Sequence, residues 1–212
     1  MKRYDGEIGI ISLTSWKARI NVVSKTIFSL IKNCPNFHIV LVLSEEEFPH
    51  KENELPNDLR LLINNELIEV MWVYKNYKAL KKIYFTIQKY PNVPVISADD
   101  DCFYTCNYAQ ELYDKWTNEK ENVYTYYTNL QWNGPIGQCT LYPPKLFSKF
   151  TEEDKKNVEH YLNNDDWFFK KFLNKNDIKI IGLHDYYPFK FHTKISPLNP
   201  GQYTEAQYRN CL

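Results

Sequence analysis

The segment Val93-Pro-Val-Ile-Ser-Ala-Asp-Asp-Asp-Cys-Phe-Tyr104 changes character abruptly along its length. Val93, Val95 and Ile96 make a short run rich in β-branched residues, which reads as a buried strand. The run stops at Asp99, Asp100 and Asp101. Three adjacent anions repel one another, so a fold that gathers them supplies a counter-charge. Asp99 and Asp101 are two residues apart, and both can turn toward one point as the strand ends. Carboxylates of this kind are hard oxygen ligands suited to Mg²⁺ or Mn²⁺. A solvated acidic turn is the bland alternative. In an open α/β sheet, however, ligands bind just beyond the carboxyl ends of strands, and a buried strand leads into this triple.

Working outward, the preceding sequence alternates strand and helix signals. Ile8 to Leu13 reads as a first strand, ending in Thr14-Ser-Trp-Lys-Ala-Arg19. Hydroxyls, Trp and Arg at a strand end suit a nucleotide, with Trp for stacking and Arg for polar groups; a cap for the next helix is equally compatible. Ile20, Val23, Ile27, Leu30 and Ile31 recur at helical spacing, and Pro35 follows. Phe37 to Leu43 is a second strand, Leu55 to Glu66 a helix and Ile68 to Val73 a third strand. Tyr74 to Tyr90 carries a helical apolar face together with Lys75, Lys78, Lys81, Lys82 and Lys89. Those lysines read as a solvated helix face, with a diphosphate contact as the rival reading. The β-α-β-α-β order predicts an α/β fold, a mostly parallel central sheet flanked by helices.

Beyond the triple, Tyr108 to Trp116 reads as a helix and Val123 to Tyr127 as a strand. Leu130 to Gly137 is loop-like, with Gly134, Pro135 and Gly137 permitting close backbone approach to a ligand. No Gly-Lys-Ser/Thr follows, so it is not a P-loop. Cys139 to Tyr142 reads as a short strand, Pro143-Pro144 as the opening of a helix to Phe150, and Thr151 as the cap of another. Asp165 and Asp166 stand at the predicted start of a helix containing Trp167, Phe168, Phe172 and Leu173. The helix dipole favours carboxylates there, so capping explains them structurally; action on an acceptor hydroxyl is the functional alternative. Ile178 to Ile181 is a last strand, and the tail from Leu183 has no strong periodicity. His184 or His192 is a possible further metal ligand; a surface or core histidine is the commoner role.

Composition sets bounds. The 212 residues suffice for a single buried domain, and 26 basic residues cancel 26 acidic ones. No field of one sign is available to bind nucleic acid or a membrane non-specifically. The first residues lack the apolar core of a signal peptide, and no apolar run is long enough to span a bilayer. Five irregularly spaced cysteines read as reduced thiols, with no second Cys/His pair at zinc-finger spacing.

Taken together, these pieces resemble bacterial glycosyltransferases of the GT-A fold with an Asp-x-Asp motif, of the surface-polysaccharide type. The resemblance runs from about Ile10 to Phe169. It rests on Ser12-Leu-Thr-Ser-Trp-Lys-Ala-Arg19, Leu41-Val-Leu-Ser-Glu-Glu-Glu-Phe-Pro49, Asn76-Tyr-Lys78, Ala98-Asp-Asp-Asp-Cys-Phe-Tyr104, Gly137-Gln-Cys-Thr-Leu-Tyr-Pro-Pro144 and Asp165-Asp-Trp167, in that order. The family's turn is more glycine-rich where this chain has Gln138-Cys139.

The resemblance implies one domain over residues 1–212. About 8–104 would form the nucleotide-sugar half, about 105–182 the acceptor half, and 183–212 an irregular tail. It implies Asp99 and Asp101 as ligands of Mn²⁺ or Mg²⁺, and donor contacts from Thr14, Ser15, Trp16, Arg19, Lys78, Asp99 and Asp100. It also implies Asp165 and Asp166 as acceptor-side carboxylates, one a general base. The implied donor is a nucleotide-sugar, with UDP-sugar favoured, and the acceptor is a glycan or lipid-linked glycan. The implied setting is cytoplasmic, at most peripheral to the membrane. Rival readings are a sugar nucleotidyltransferase, which needs a basic glycine-rich loop near the first strand, and a non-catalytic nucleotide- or glycan-binding module. A metal-dependent phosphohydrolase needs more clustered His and Asp ligands.

Overall fold

A computed structural model of the chain describes residues 7–127, 134, 137–162 and 165–193. Strand β1 (Gly9–Thr14) is followed by α1 (Val23–Asn33), β2 (Phe37–Ser44), α2 (Asn57–Asn64), β3 (Glu69–Val73), α3 (Lys81–Lys89) and β4 (Val95–Ser97). The order continues with β5 (Cys102–Tyr104), α4 (Tyr108–Asn118), β6 (Val123–Tyr127), β7 (Thr140–Tyr142), α5 (Glu152–Val158), α6 (Asp165–Lys175), β8 (Ile180–His184) and β9 (Phe189–Phe191). Seven strands form one sheet in the order β3-β2-β1-β4-β7-β6-β8, and β5 pairs separately with β9. Within the large sheet only β7 runs against its neighbours: β4 and β6 are both antiparallel to it, and β8 is parallel to β6. The expected α/β class with a mostly parallel, helix-flanked sheet is therefore present.

Strand period sets the two cores. In β1, Ile11 and Leu13 point to one face and Ile10 and Ser12 to the other. The first face packs on α1 through Val23, Ile27 and Leu30. The second packs on α3 through Ile83 and Ile87, and on α6 through Phe169 and Phe172. Ser12 is a polar residue inside an apolar strand. Its Oγ lies 2.8 Å from Thr86 Oγ1 and donates to the Lys82 carbonyl at 2.5 Å, so a polar seam joins β1 to α3.

Chain order steps outward from β1 to β2 to β3, then returns to the other side of β1 with β4. The reversal makes a switch point at the carboxyl ends of β1 and β4, the place where open α/β sheets bind ligands.

Several local expectations change. Pro143-Pro144 opens no regular helix: Lys145 has φ 60° and only a single turn, Leu146–Lys149, follows. The left-handed residue interrupts the helical path. Residues 130–133, 135 and 136 of the glycine-containing loop, and 194–212 of the tail, lie outside the described residues. The described part of the tail is not wholly irregular, because β9 pairs antiparallel with β5. Among the described residues no helix is long and apolar enough to cross a membrane.

Candidate active site

Two clusters of charge meet at the switch point. The deeper one gathers around Arg19. Arg19 pairs with the Asp100 carboxylate and lies 3.0 Å from Asp101 Oδ2. Ser15 Oγ donates to Asp100 Oδ2 at 2.6 Å. All four side chains are buried, with Asp100 at 5 % and Asp101 at 2 % exposure. Arg19 gets there because the chain after β1 turns: the Arg19 and Ile20 amides donate to the Trp16 carbonyl, and α1 does not begin until Val23. The helix-cap reading of Thr14 and Ser15 fails, since Thr14 Oγ1 donates to the Val42 carbonyl at 2.7 Å and Ser15 serves Asp100.

Burial pushes the Asp100 carboxyl up, against the pull of Arg19 and Ser15. Asp101 rises to about 6, through burial and the neighbouring Asp99, with Arg19 opposing. Cys102 Sγ lies 3.4 Å from the other Asp101 oxygen.

The outer cluster is centred on Lys82, which is 2 % exposed. Its Nζ lies 2.5 Å from Asp99 Oδ1 and 3.8 Å from Asp165 Oδ2. Burial alone lowers a lysine pKa, but Asp99 and Asp165 outweigh it and hold Lys82 above its ordinary value. The solvated-helix-face reading of the lysines therefore fails at two positions. Lys82 is buried in this cluster, and Lys81, also 2 % exposed, reaches Glu47 at 3.6 Å. The counter-charge that three adjacent aspartates require comes from Arg19 and Lys82.

Gly137 closes the outer cluster. A Cβ there would lie 3.0 Å from Asp166 Oδ1, 3.2 Å from Asp165 Oδ2 and 3.6 Å from Lys82 Nζ. Gly137→Ala is expected to displace the aspartate pair by a few tenths of an ångström while leaving the fold intact. The check is a thermal midpoint within about 2 °C of wild type, a shift typical of a sub-kcal/mol change.

Burial, reinforced by Asp165, raises the Asp166 carboxyl to about 8. Burial likewise raises Asp165, with Lys82 opposing. Asp166 Oδ1 is buried without a hydrogen bond of good geometry, and the neighbouring Gly137 amide only partly offsets the effect of burial on this carboxyl. A carboxyl raised in the folded state binds a proton that the unfolded chain has released. Stability from this group is therefore present below the unfolded pKa of 3.8 and is lost as pH rises toward about 8. Asp166→Asn should remove that loss. The variant is expected to be more stable than wild type by roughly 1–3 kcal/mol at pH 9 and by much less at pH 5, read from urea unfolding at both.

The remaining expected residues divide. Trp16 is half-buried at the β1 end, with Nε1 buried and unpartnered. Lys78 is exposed on the loop after β3, with φ 47°. His184 Nε2 faces Glu111 at 3.0 Å, whereas His192 Nε2 faces Thr26 at 2.8 Å, behind the acidic triple. Cys139 adopts φ 54°, a conformation that glycine takes without strain.

Among the described residues no group of three or more His, Cys, Asp or Glu side chains is arranged to hold a metal ion. Asp99 is the member of the triple open to a ligand, with its side chain 35 % exposed. Both Asp101 oxygens already have protein neighbours. Asp99, itself paired with Lys82, is thus the one carboxylate of the triple left to share with a cation that a bound diphosphate and water would also ligate. The donor set does not make a closed metal cage.

The architecture is that of the GT-A-type glycosyltransferase fold. Among solved structures it is similar to TarS of Staphylococcus aureus. TarS 1–349 in complex with UDP superposes with a TM-score of 0.57 at 13 % identity, over 84 % of this chain and 58 % of that one. TarS 1–349 alone gives a TM-score of 0.56 at 13 % identity, over 86 % and 59 %. A longer TarS chain gives 0.56 at 12 % identity, over 89 % and 37 %. This chain thus spans less than two thirds of each of those structures. No family model and no curated protein matches its sequence.

Proposed function

We propose that the chain is a glycosyltransferase of the hexosyltransferase type. It would move a sugar from a nucleotide-sugar, UDP-sugar by preference, to a hydroxyl of a glycan or lipid-linked glycan in surface polysaccharide assembly. Its setting would be cytoplasmic and at most peripheral to the membrane. The observation carrying the proposal is Lys82: one buried cation lies between Asp99, on the strand end where a donor would bind, and Asp165, on the helix start where an acceptor would approach. The UDP bound to TarS supports the choice of nucleotide.

The nucleotide would lie over the β1 end, against Thr14, Ser15 and Trp16. Lys78 would approach it from the loop after β3. Arg19 and Ser15 hold Asp100 and Asp101 in place beneath it. Asp99, with Asp101 behind it, would hold Mn²⁺ or Mg²⁺ in company with the donor diphosphate. When bound, that cation stabilises the negative charge that accumulates on the leaving diphosphate. Lys82 adds a fixed positive charge from the protein side, in a buried position where it acts strongly and needs no reorganisation. An acceptor hydroxyl satisfies Asp166 Oδ1 and gives up its proton there as the new glycosidic bond forms. A carboxylate with a pKa near working pH suits that task, because it is partly ionised and still basic.

The test is release of UDP from a panel of UDP-sugars with Mn²⁺, using wild type and Asp166→Asn. Slow release with at least one sugar, falling about a hundredfold in the variant as expected for a general base, is the result anticipated. No release from any of them would count against the proposal.

A further inference from the structure

Hydrogen bonds behind the acidic triple fix the state of His192. Thr26, on α1, has one hydroxyl proton, and it goes to the Asp100 carbonyl at 2.9 Å because a carbonyl can only accept. The same Oγ1 lies 2.8 Å from His192 Nε2. With its proton committed, Thr26 can only accept from the ring, so Nε2 carries the hydrogen. His192 Nδ1 is buried with no hydrogen-bond partner. A second proton there would be a buried, charged and unsatisfied N–H, so the ring is neutral and Nδ1 bears a bare lone pair.

The backbone of the same residue acts on the next peptide. The His192 amide donates to the Asp101 carbonyl at 2.9 Å, one step beyond the Cys102–Phe191 pairing of β5 and β9. Consecutive carbonyls of the triple are thereby held from behind, one through Thr26 by the ring and one by the main chain.

We propose that His192 is a positioning residue for the nucleotide-sugar site. Its Nε2–H, through Thr26, sets the Asp100–Asp101 peptide and with it the directions in which the aspartates present their carboxylates. This role rests on the functional reading above, whereas the tautomer follows from the hydrogen bonds alone.

Two measurements on the full chain test it. A long-range proton–nitrogen correlation spectrum of histidine-labelled protein should show His192, assigned by its loss in His192→Gln, as a neutral ring protonated at Nε2. A ring protonated at Nδ1, or at both nitrogens, overturns the assignment. Calorimetric titration with UDP and Mn²⁺ then separates positioning from bulk. A glutamine amide reaches the place of Nε2, while an asparagine amide reaches only that of Nδ1. His192→Gln should bind within about twofold of wild type, and His192→Asn and His192→Ala about tenfold more weakly, as for one lost hydrogen bond.

Equal affinities in all three variants, or a glutamine no better than alanine, would remove the positioning role. Should His192→Ala fail to fold, Thr26→Val deletes the same bond with little change of shape and is expected to show the same weakening. If wild type itself binds no UDP, the functional reading falls and this role with it, while the spectrum still decides the tautomer.

Discussion

Arg19→Met is expected to lose about 3–5 kcal/mol of stability, the usual consequence of stranding a buried charge partner. Arg19 faces both Asp100 and Asp101, and all three are almost fully buried. Removing the guanidinium leaves carboxylates that already repel each other without their cation. In urea the transition should move down by about 1–2 M, at the slope of roughly 2–3 kcal/mol/M expected for a chain of this size. Arg19→Lys should recover only part of the loss, because an ammonium point charge cannot span two carboxylates as a planar guanidinium does. Replacing Asp100 and Asp101 by Asn in the Arg19→Met background should restore most of the missing stability, since no uncompensated charge then remains. If Arg19→Met unfolds at the wild-type midpoint, the buried triad is not formed in solution.

Lys82→Met should have the largest effect on catalysis. The substitution keeps the length of the side chain and removes the charge that faces Asp99 and Asp165. Loss of a preorganised electrostatic contact of this kind lowers turnover by about 10²–10³. The sign of the accompanying pH shift is also fixed. Lys82 opposes the rise of Asp165 and Asp166, so its loss raises both carboxyls further. Whatever activity remains should therefore need a higher pH than wild type requires to ionise the base. Turnover unchanged by Lys82→Met would separate this lysine from the chemistry.

The parts of this arrangement that were legible in sequence are those with strong periodicity. The β-branched runs at Ile10–Leu13, Phe37–Leu43 and Val95–Ile96 mark β1, β2 and β4. The abrupt change to aspartates places the triple at a strand end. What was not legible depends on contacts between distant segments. Lys82 reads as a surface lysine because adjacent Lys81 and the other basic residues suggest a solvated stripe.

A signal for its burial was nonetheless present. Thr86 stands one helical turn beyond Lys82, and Ser12 interrupts an otherwise apolar strand; together they are the polar seam against which Lys82 packs. The β5–β9 pair has no comparable signal. Each strand is only three residues long, and the pairing joins Cys102–Tyr104 to a stretch nearly ninety positions later, so its order comes from tertiary pairing and not from local pattern. His192 owes its place to that pairing.

The most direct test of the proposed nucleotide-sugar site is calorimetry of UDP, GDP, CMP and ADP with and without Mn²⁺, on wild type and Asp99→Ala. Asp99 is the carboxylate of the triple open to a ligand, and its removal spares the buried Arg19 triad. The expected result is that UDP binds wild type with Mn²⁺ and raises its thermal midpoint in proportion to occupancy. Asp99→Ala should fold but lose this binding. A chain that binds none of the four nucleotides, or binds one with the same affinity without Mn²⁺ and without Asp99, would contradict the proposed site.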